Sequence, residues 1–246
     1  GTALTVASEM AIYADLIGPD SYQPASSGQN ASRMAQFSLT ANDTYNAYYY
    51  LYAAIASVNN ALEKAALLED QEAAAPYVAE LYAMRGLFHL HLATFFAPIP
   101  TSGNPNHMGI VLADRVFDVN YIGERASLED TYDFIINDFT KAVDSGLNKD
   151  RNTGHMNYWA SLALRARANL YAGNWQQALD DAEELINDSP YRLYTIDNYM
   201  KSWSQEGADE VIMEYLQTDT YNPQRYAPGY YASPRGYSEY GVSPEF

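Results

Sequence analysis

Between Asn157 and Pro190 two helical patterns flank a Gly173-Asn174 turn, and no other segment limits what the chain can fold into so tightly. Trp159, Leu162, Ala166, Leu170 and Tyr171 recur at three- and four-residue spacings, which place them on one side of a helix. Trp175 follows the turn, and Ala178, Ala182, Leu185 and Ile186 continue the spacing up to Pro190. Glycine readily takes the left-handed conformation that closes a helix, and proline cannot extend one, so both ends are punctuated. Ala166 sits where two antiparallel helices must approach closely. A single hairpin of this kind cannot bury both of its faces, so it requires further helices stacked against it.

The spacing resembles a tetratricopeptide unit: a closing Gly turn, an aromatic, an Ala in the second helix, and Pro190 twelve residues after Ala178. Ala182 and Leu185 exchange the large and small residues that pattern expects. The fold class implied is mostly α, with tetratricopeptide-like helix pairs in an α-α superhelix, a loop-rich C-terminal region and little β. A single domain over 1–246 is expected, with a helical body at 9–190 and a strand plus Tyr-rich loop at 191–246.

The rest of the chain supplies the neighbours. Met10, Ile12, Tyr13, Leu16 and Ile17 predict a helix ending at Gly18-Pro19, followed by a polar loop from Ser21 to Ala41. A long helix is expected from about Thr44, capped by Asn42-Asp43-Thr44 and lined by Tyr48, Leu51, Tyr52, Ile55, Val58 and Leu62. A third is expected after Ala75-Pro76, with Pro76 in its first turn, running through Arg85 and Phe88 to Phe96. A fourth opens at Ser127, where Ser127 and Asp130 form a capping-box pattern, and closes at Gly146. Glu210 to Leu216 reads as a strand. From Asp219 the chain reads as loop.

Composition removes several function classes. The 14 basic residues against 31 acidic ones give a net charge of −17, and no basic run exists to displace counterions from phosphates, so no nucleic-acid partner is expected. The absence of cysteine excludes thiol catalysis and Cys-built zinc sites. No apolar stretch reaches the roughly eighteen residues of a bilayer span. His89 and His91 lie two apart on a helix and point in different directions, so they do not form a metal pair. No phosphate loop, nucleophile elbow or His-Glu-x-x-His run is present. Asp180, Asp181, Glu183 and Glu184 read as a solvated helix face, and Asp130, Asp133 and Asp138 as charges near a helix start. No cofactor, metal or catalytic residue is expected.

Tyrosine is the outlier, with 23 residues beside 8 Phe and 3 Trp. Tyr221, Tyr226, Tyr230, Tyr231, Tyr237 and Tyr240 fall within a segment broken by Pro223, Pro228, Gly229, Pro234 and Gly236. Two readings stand. Aromatic faces could stack on sugar rings while polar side chains bond the hydroxyls, or the loop could wrap the helical body and pack its rings there.

Four segments in order resemble the SusD/RagB family of outer-membrane lipoproteins from Bacteroidota. They are Tyr48, Tyr52, Ile55, Asn59 and Leu62; Glu80, Arg85, Phe88 and Leu92 through Phe96-Ala97-Pro98-Ile99-Pro100; Arg125-Ala126-Ser127 through Tyr132, Ile135, Asp138-Phe139 and Ala142; and the hairpin residues Ala163, Ala166, Leu170, Tyr171, Gly173, Trp175 and Ala178. Tyr48 stands where the family has Trp, and Ala97-Pro98 replaces its glycine region. The resemblance implies a surface-exposed glycan-binding protein, held in the outer membrane by a lipidated cysteine outside this sequence. Its implied partners are an oligosaccharide or polysaccharide and a SusC-like TonB-dependent outer-membrane transporter. Members are about twice this length, so the chain reads as a fragment, a shortened member or a cleaved product.

Chemistry and position together nominate two loops for the ligand. The first offers Tyr22, Gln29, Asn30 and Arg33, and the second offers Tyr226, Tyr230, Tyr231, Arg235 and Tyr237. The alternative is a tetratricopeptide-type protein-interaction module that binds no glycan. An all-α glycan-processing enzyme is a third reading, since abundant carboxylates could supply an acid–base pair.

Overall fold

A computed structural model describes the chain except for residues 1, 26, 28–30, 41–45, 104–106, 152–153, 203, 206, 217, 221–224, 226 and 244–246. The described residues are mostly helical, with almost no strand. They divide into two compact units: Gly1–Leu51 with Gln217–Phe246, and Tyr52–Leu216. The division therefore falls elsewhere than residue 190, because the last thirty residues return to the N-terminal segment.

The larger unit is built on α3 (Asn46–Ala65, from Tyr52 onward), α4 (Gln71–Phe96), α5 (Leu128–Asp144), α6 (Tyr158–Ala172), α7 (Trp175–Asp188) and the short α8 (Ile196–Ser202). The α6–α7 hairpin has the closure its sequence predicts. The Asn157 side chain accepts from the Ala160 N–H at 2.9 Å, and Gly173 takes φ +86° after the last turn. The Asn174 N–H then returns to the Asn169 carbonyl at 2.9 Å, a Schellman-type closure that only a residue tolerating positive φ permits cheaply. A bidentate pair from Arg165 to Asp181, at 2.9 and 2.7 Å, fixes the two helices to each other. Trp159 and Leu162 of α6 bury with Val143 of α5 and with Tyr191, and Leu185 of α7 packs against them.

One boundary differs from expectation. Helix α4 begins at Gln71, five residues before Pro76, because the Asp70 carboxylate caps the Ala73 N–H at 2.9 Å and supplies an earlier start. The expected cap at Asn42-Asp43-Thr44 lies outside the described residues. In α5 the Ser127 hydroxyl accepts from the Asp130 N–H at 2.9 Å and donates to its carboxylate at 2.7 Å, as the capping pattern requires.

The segment Glu210 to Leu216 is not a strand. Its β-rich composition finds no pairing partner among the described residues. Instead the Val211 N–H closes a turn onto Ala208, and Ile212 packs against the Trp159 cluster. Apolar content drove burial without a ladder to satisfy the backbone.

A polar network lies at the centre of this unit. Arg85 donates to both oxygens of Asp138 at 2.7 and 2.8 Å, to Asn59 Oδ1 at 2.9 Å and to the Asp114 carbonyl at 2.8 Å. Asn59 donates in turn to the carbonyls of Ala113 and Arg115 at 3.0 and 2.9 Å. His89 Nδ1 donates to the Arg85 carbonyl at 2.9 Å, while its Nε2 accepts from the Ala113 N–H at 3.2 Å. The 113–115 loop is thus held by side chains from two helices, α3 and α4, and each of its three carbonyls has a donor.

The smaller unit consists of α1 (Thr2–Ile17), β1 (Ser21–Tyr22), α2 (Ser32–Ala35), α9 (Pro228–Ala232) and β2 (Gly241–Val242), with the start of α3. Ile12 and Leu16 of α1 bury with Ala31 and Tyr231, and Tyr13, Tyr237 and Tyr240 close over that cluster.

Candidate functional site

The two nominated loops meet in the smaller unit. β1 and β2 pair antiparallel, Ser21 opposite Val242 and Tyr22 opposite Gly241. The junction is reinforced by Glu239, whose side chain is fully buried. Its Oε2 accepts from Gln23 Nε2 at 2.8 Å and from the Ala31 N–H at 3.4 Å, and its own N–H donates to the Tyr231 carbonyl at 2.7 Å. Gly236 makes the terminal turn possible: a Cβ there would lie 2.0 Å from the Tyr230 carbonyl oxygen, which accepts from the Tyr237 N–H.

Beside this ribbon opens a cleft of about 490 Å³, within the roughly 300–1,000 Å³ of small-molecule sites. Asp15 and Asp20 bring carboxylates to it, Ser21 a hydroxyl, and Tyr240 an aromatic wall, with Ala14, Ala232 and the exposed Val242 as apolar surface. The Ser21 hydroxyl donates to the Asp15 carbonyl, and the Ser243 N–H donates to the Asp20 carbonyl at 2.8 Å, so the rim is tied at both ends. Burial, and then the nearby Asp15 carboxylate, push the Tyr240 phenol above its ordinary value, so it stays protonated, donating to the Pro228 carbonyl at 3.3 Å. No Lys or Arg lines the cleft. Carboxylates that accept, a phenol that is neutral and an apolar floor suit an uncharged ligand rich in hydroxyls rather than an anion. Among the described residues no group of three or more His, Asp or Glu is placed to hold a metal.

The nominated residues fare unequally. Tyr22 is half-exposed on β1, its ring against Gly241, where a Cβ would lie 3.3 Å from the Tyr22 Cε1. Tyr231 is a correction to its nomination: it is buried in the α1 core and offers no face to a ligand. Tyr230 and Tyr237 are half-buried, and Tyr237 stands edge-to-face with Tyr230 and Tyr231 at 5.0 and 5.1 Å. The packing reading of the loop therefore holds for this trio. Arg33 on α2 and Arg235 in the turn are exposed. Gln29, Asn30 and Tyr226 lie outside the described residues. Sequence reasoning missed Asp15, Asp20 and Ser21, which read as a helix end and loop, and passed over Tyr240 as one tyrosine among several.

Residues 5–170 match a family described as starch-binding and associating with the outer membrane. The chain belongs to the SusD-like family. No curated protein sequence matches it. Among solved structures, it is similar to a SusD superfamily protein from Bacteroides vulgatus (25% identity, TM-score 0.86), covering 100% of this chain and 57% of that one. It is also similar to one from Bacteroides thetaiotaomicron (22% identity, TM-score 0.86; 95% of this chain and 55% of that one). A laminarin binding SusD-like protein matches at 18% identity and TM-score 0.76, covering 99% of this chain and 61% of that one. The SusD-like chain thus spans a little over half the length of these solved relatives. Its helical fold is theirs. Among the described residues no helix is long and apolar enough to cross a membrane.

Proposed function

We propose that this SusD-like chain binds a neutral oligosaccharide or polysaccharide at the cleft beside the β1–β2 ribbon and performs no chemistry on it. The observation that carries this is the pairing of Ser21–Tyr22 with Gly241–Val242, which joins both nominated loops around Asp15, Asp20 and Tyr240. The carboxylates select hydroxyl positions, and Tyr240 with Val242 supplies apolar contact for the C–H faces of a sugar. Tyr22, Arg33 and Arg235 are the exposed side chains of the two loops that would extend the contact along a longer chain. The family's description as starch-binding, and a laminarin-binding neighbour, support the ligand class.

In the cell, the chain would act at the surface, held in the outer membrane by a lipid anchor, as the binding component of a SusC-like TonB-dependent uptake complex. A protein partner is favoured by one feature: Trp175, Leu179 and Ile186, on one side of α7, are 62%, 50% and 73% exposed. The experiment is titration calorimetry of the protein with maltoheptaose, soluble starch and laminarin, alongside an assay for released reducing ends. Heat of binding without new reducing ends is expected. No binding to any of the three, or hydrolysis of one, would refute the proposal.

A further inference from the structure

Helix α8 is seven residues long, and among the described residues no other element packs closely against it. A helix that short does not hold in water by itself, so its stability depends on what covers it. Its local ties are at the N-terminal end, where the Thr195 N–H donates to Asn198 Oδ1 at 2.7 Å and the Tyr194 N–H to Glu210 Oε2 at 2.8 Å. None of its residues is buried. Ile196, Tyr199 and Met200 stand at three- and four-residue spacings, which align them in one stripe, and they are 92%, 48% and 74% exposed. Leu193, three residues ahead of Ile196, is 79% exposed. An apolar stripe turned to solvent on an unsupported helix is a docking surface.

Charge decides the occupant. The exposed apolar side of α7 shares its helix with Asp180, Glu183 and Asp188 and with no basic residue, and the exposed Val119 and Ile122 lie among Asp118 and Glu124. A second copy of a chain with net charge −17 would be repelled at either surface. Helix α8 is balanced instead, with Asp197 in its first turn and Lys201 in its last, both exposed. The two lie four residues apart, on the same flank of the stripe. Against an antiparallel copy related by a two-fold axis through Tyr199, position 197 falls opposite position 201. Asp197 of each copy then meets Lys201 of the other, in both directions, while the two stripes close on one another. A foreign surface of one sign would satisfy only one of these charges. Four side chains bury less than the roughly 800 Å² per partner of a standard interface, so the association is weak, with a Kd on the order of 100 µM. We infer that α8 is a self-association surface, on which a second copy of this chain docks antiparallel to form a weak two-fold dimer.

Sedimentation equilibrium of the whole chain tests this, from about 10 µM to about 1 mM, a range that brackets the expected Kd. The weight-average mass should climb from 27.5 kDa toward twice that value. Ile196→Asp should hold it at the monomer mass. Because an acid suits a first helical turn, the far-UV circular dichroism of this variant should match that of the unaltered protein. Asp197→Lys and Lys201→Asp, each alone, should weaken association about tenfold or more by setting like charges against each other. An equimolar mixture of the two variants should restore it, since every 197–201 contact between them is again opposite in sign. The mixture separates pairing between copies from a role of the same charges at their own helix ends, which mixing cannot repair. A monomer at every concentration would overturn the inference and leave the stripe to a different partner. So would association that survives Ile196→Asp, or a mixture that stays as weak as its two components.

Discussion

Arg85 and Asp138 meet through two hydrogen bonds of 2.7 and 2.8 Å, with both side chains buried and fifty-three positions apart in sequence. The pair joins α4 to α5, and its third and fourth bonds, to Asn59 and the Asp114 carbonyl, bring in α3 and a loop. Asn59, Arg85 and Asp138 are among the residues that make the chain resemble its family, and the structure gives a reason. They are a structural bracket, and none of them lines the proposed glycan cleft.

Removing one partner should expose the cost of the other. Asp138→Asn leaves the Arg85 guanidinium buried without its counter-charge, which destabilises by about 3–5 kcal/mol. Urea unfolding measures this directly. A shift below about 1 kcal/mol would mean the pair is far more hydrated than its burial indicates.

His89 gives the fold a pH dependence. It is fully buried, and burial lowers its pKa from 6.5 to about 4, so the unfolded chain takes up a proton there more readily than the native one between those values. Stability from this group is therefore present above pH 6.5 and lost as pH falls toward 4, by about 2 kcal/mol at pH 5. Comparing unfolding free energies at pH 7 and pH 5 for the unaltered protein and His89→Gln isolates the term. Identical pH slopes in the two proteins would contradict it.

Glu239 links the terminal loop to the first loop through Gln23 and the Ala31 N–H. Glu239→Ala strands those donors and loosens the ribbon that borders the cleft. Glycan affinity should fall by about tenfold or more, read by calorimetry, while the far-UV circular dichroism of the helices is retained. Unchanged affinity would separate the ribbon from binding.

How much of this was legible in the sequence depended on the range of the interactions. The α6–α7 hairpin and the Ser127 cap were readable because a Gly at the turn and a Ser–x–x–Asp spacing act within a few residues. Tyr231 could not be separated from the other tyrosines of its loop, because its burial depends on Ile12 and Leu16, more than two hundred positions away. The same distance hid Asp15, Asp20 and Tyr240 as one site: they become neighbours only through the Ser21–Val242 pairing. Glu210 to Leu216 failed for a related reason, since a strand depends on a partner that local composition does not reveal.

The central claim is that a neutral glycan occupies the cleft beside β1 and β2, and hydrogen exchange with and without saturating glycan tests it most directly. Maltoheptaose or laminarin, whichever binds in calorimetry, should slow exchange in peptides covering 14–21 and 232–242 and leave those covering 158–188 unchanged. Protection confined to the α6–α7 hairpin, or none in either cleft segment at saturation, would contradict it.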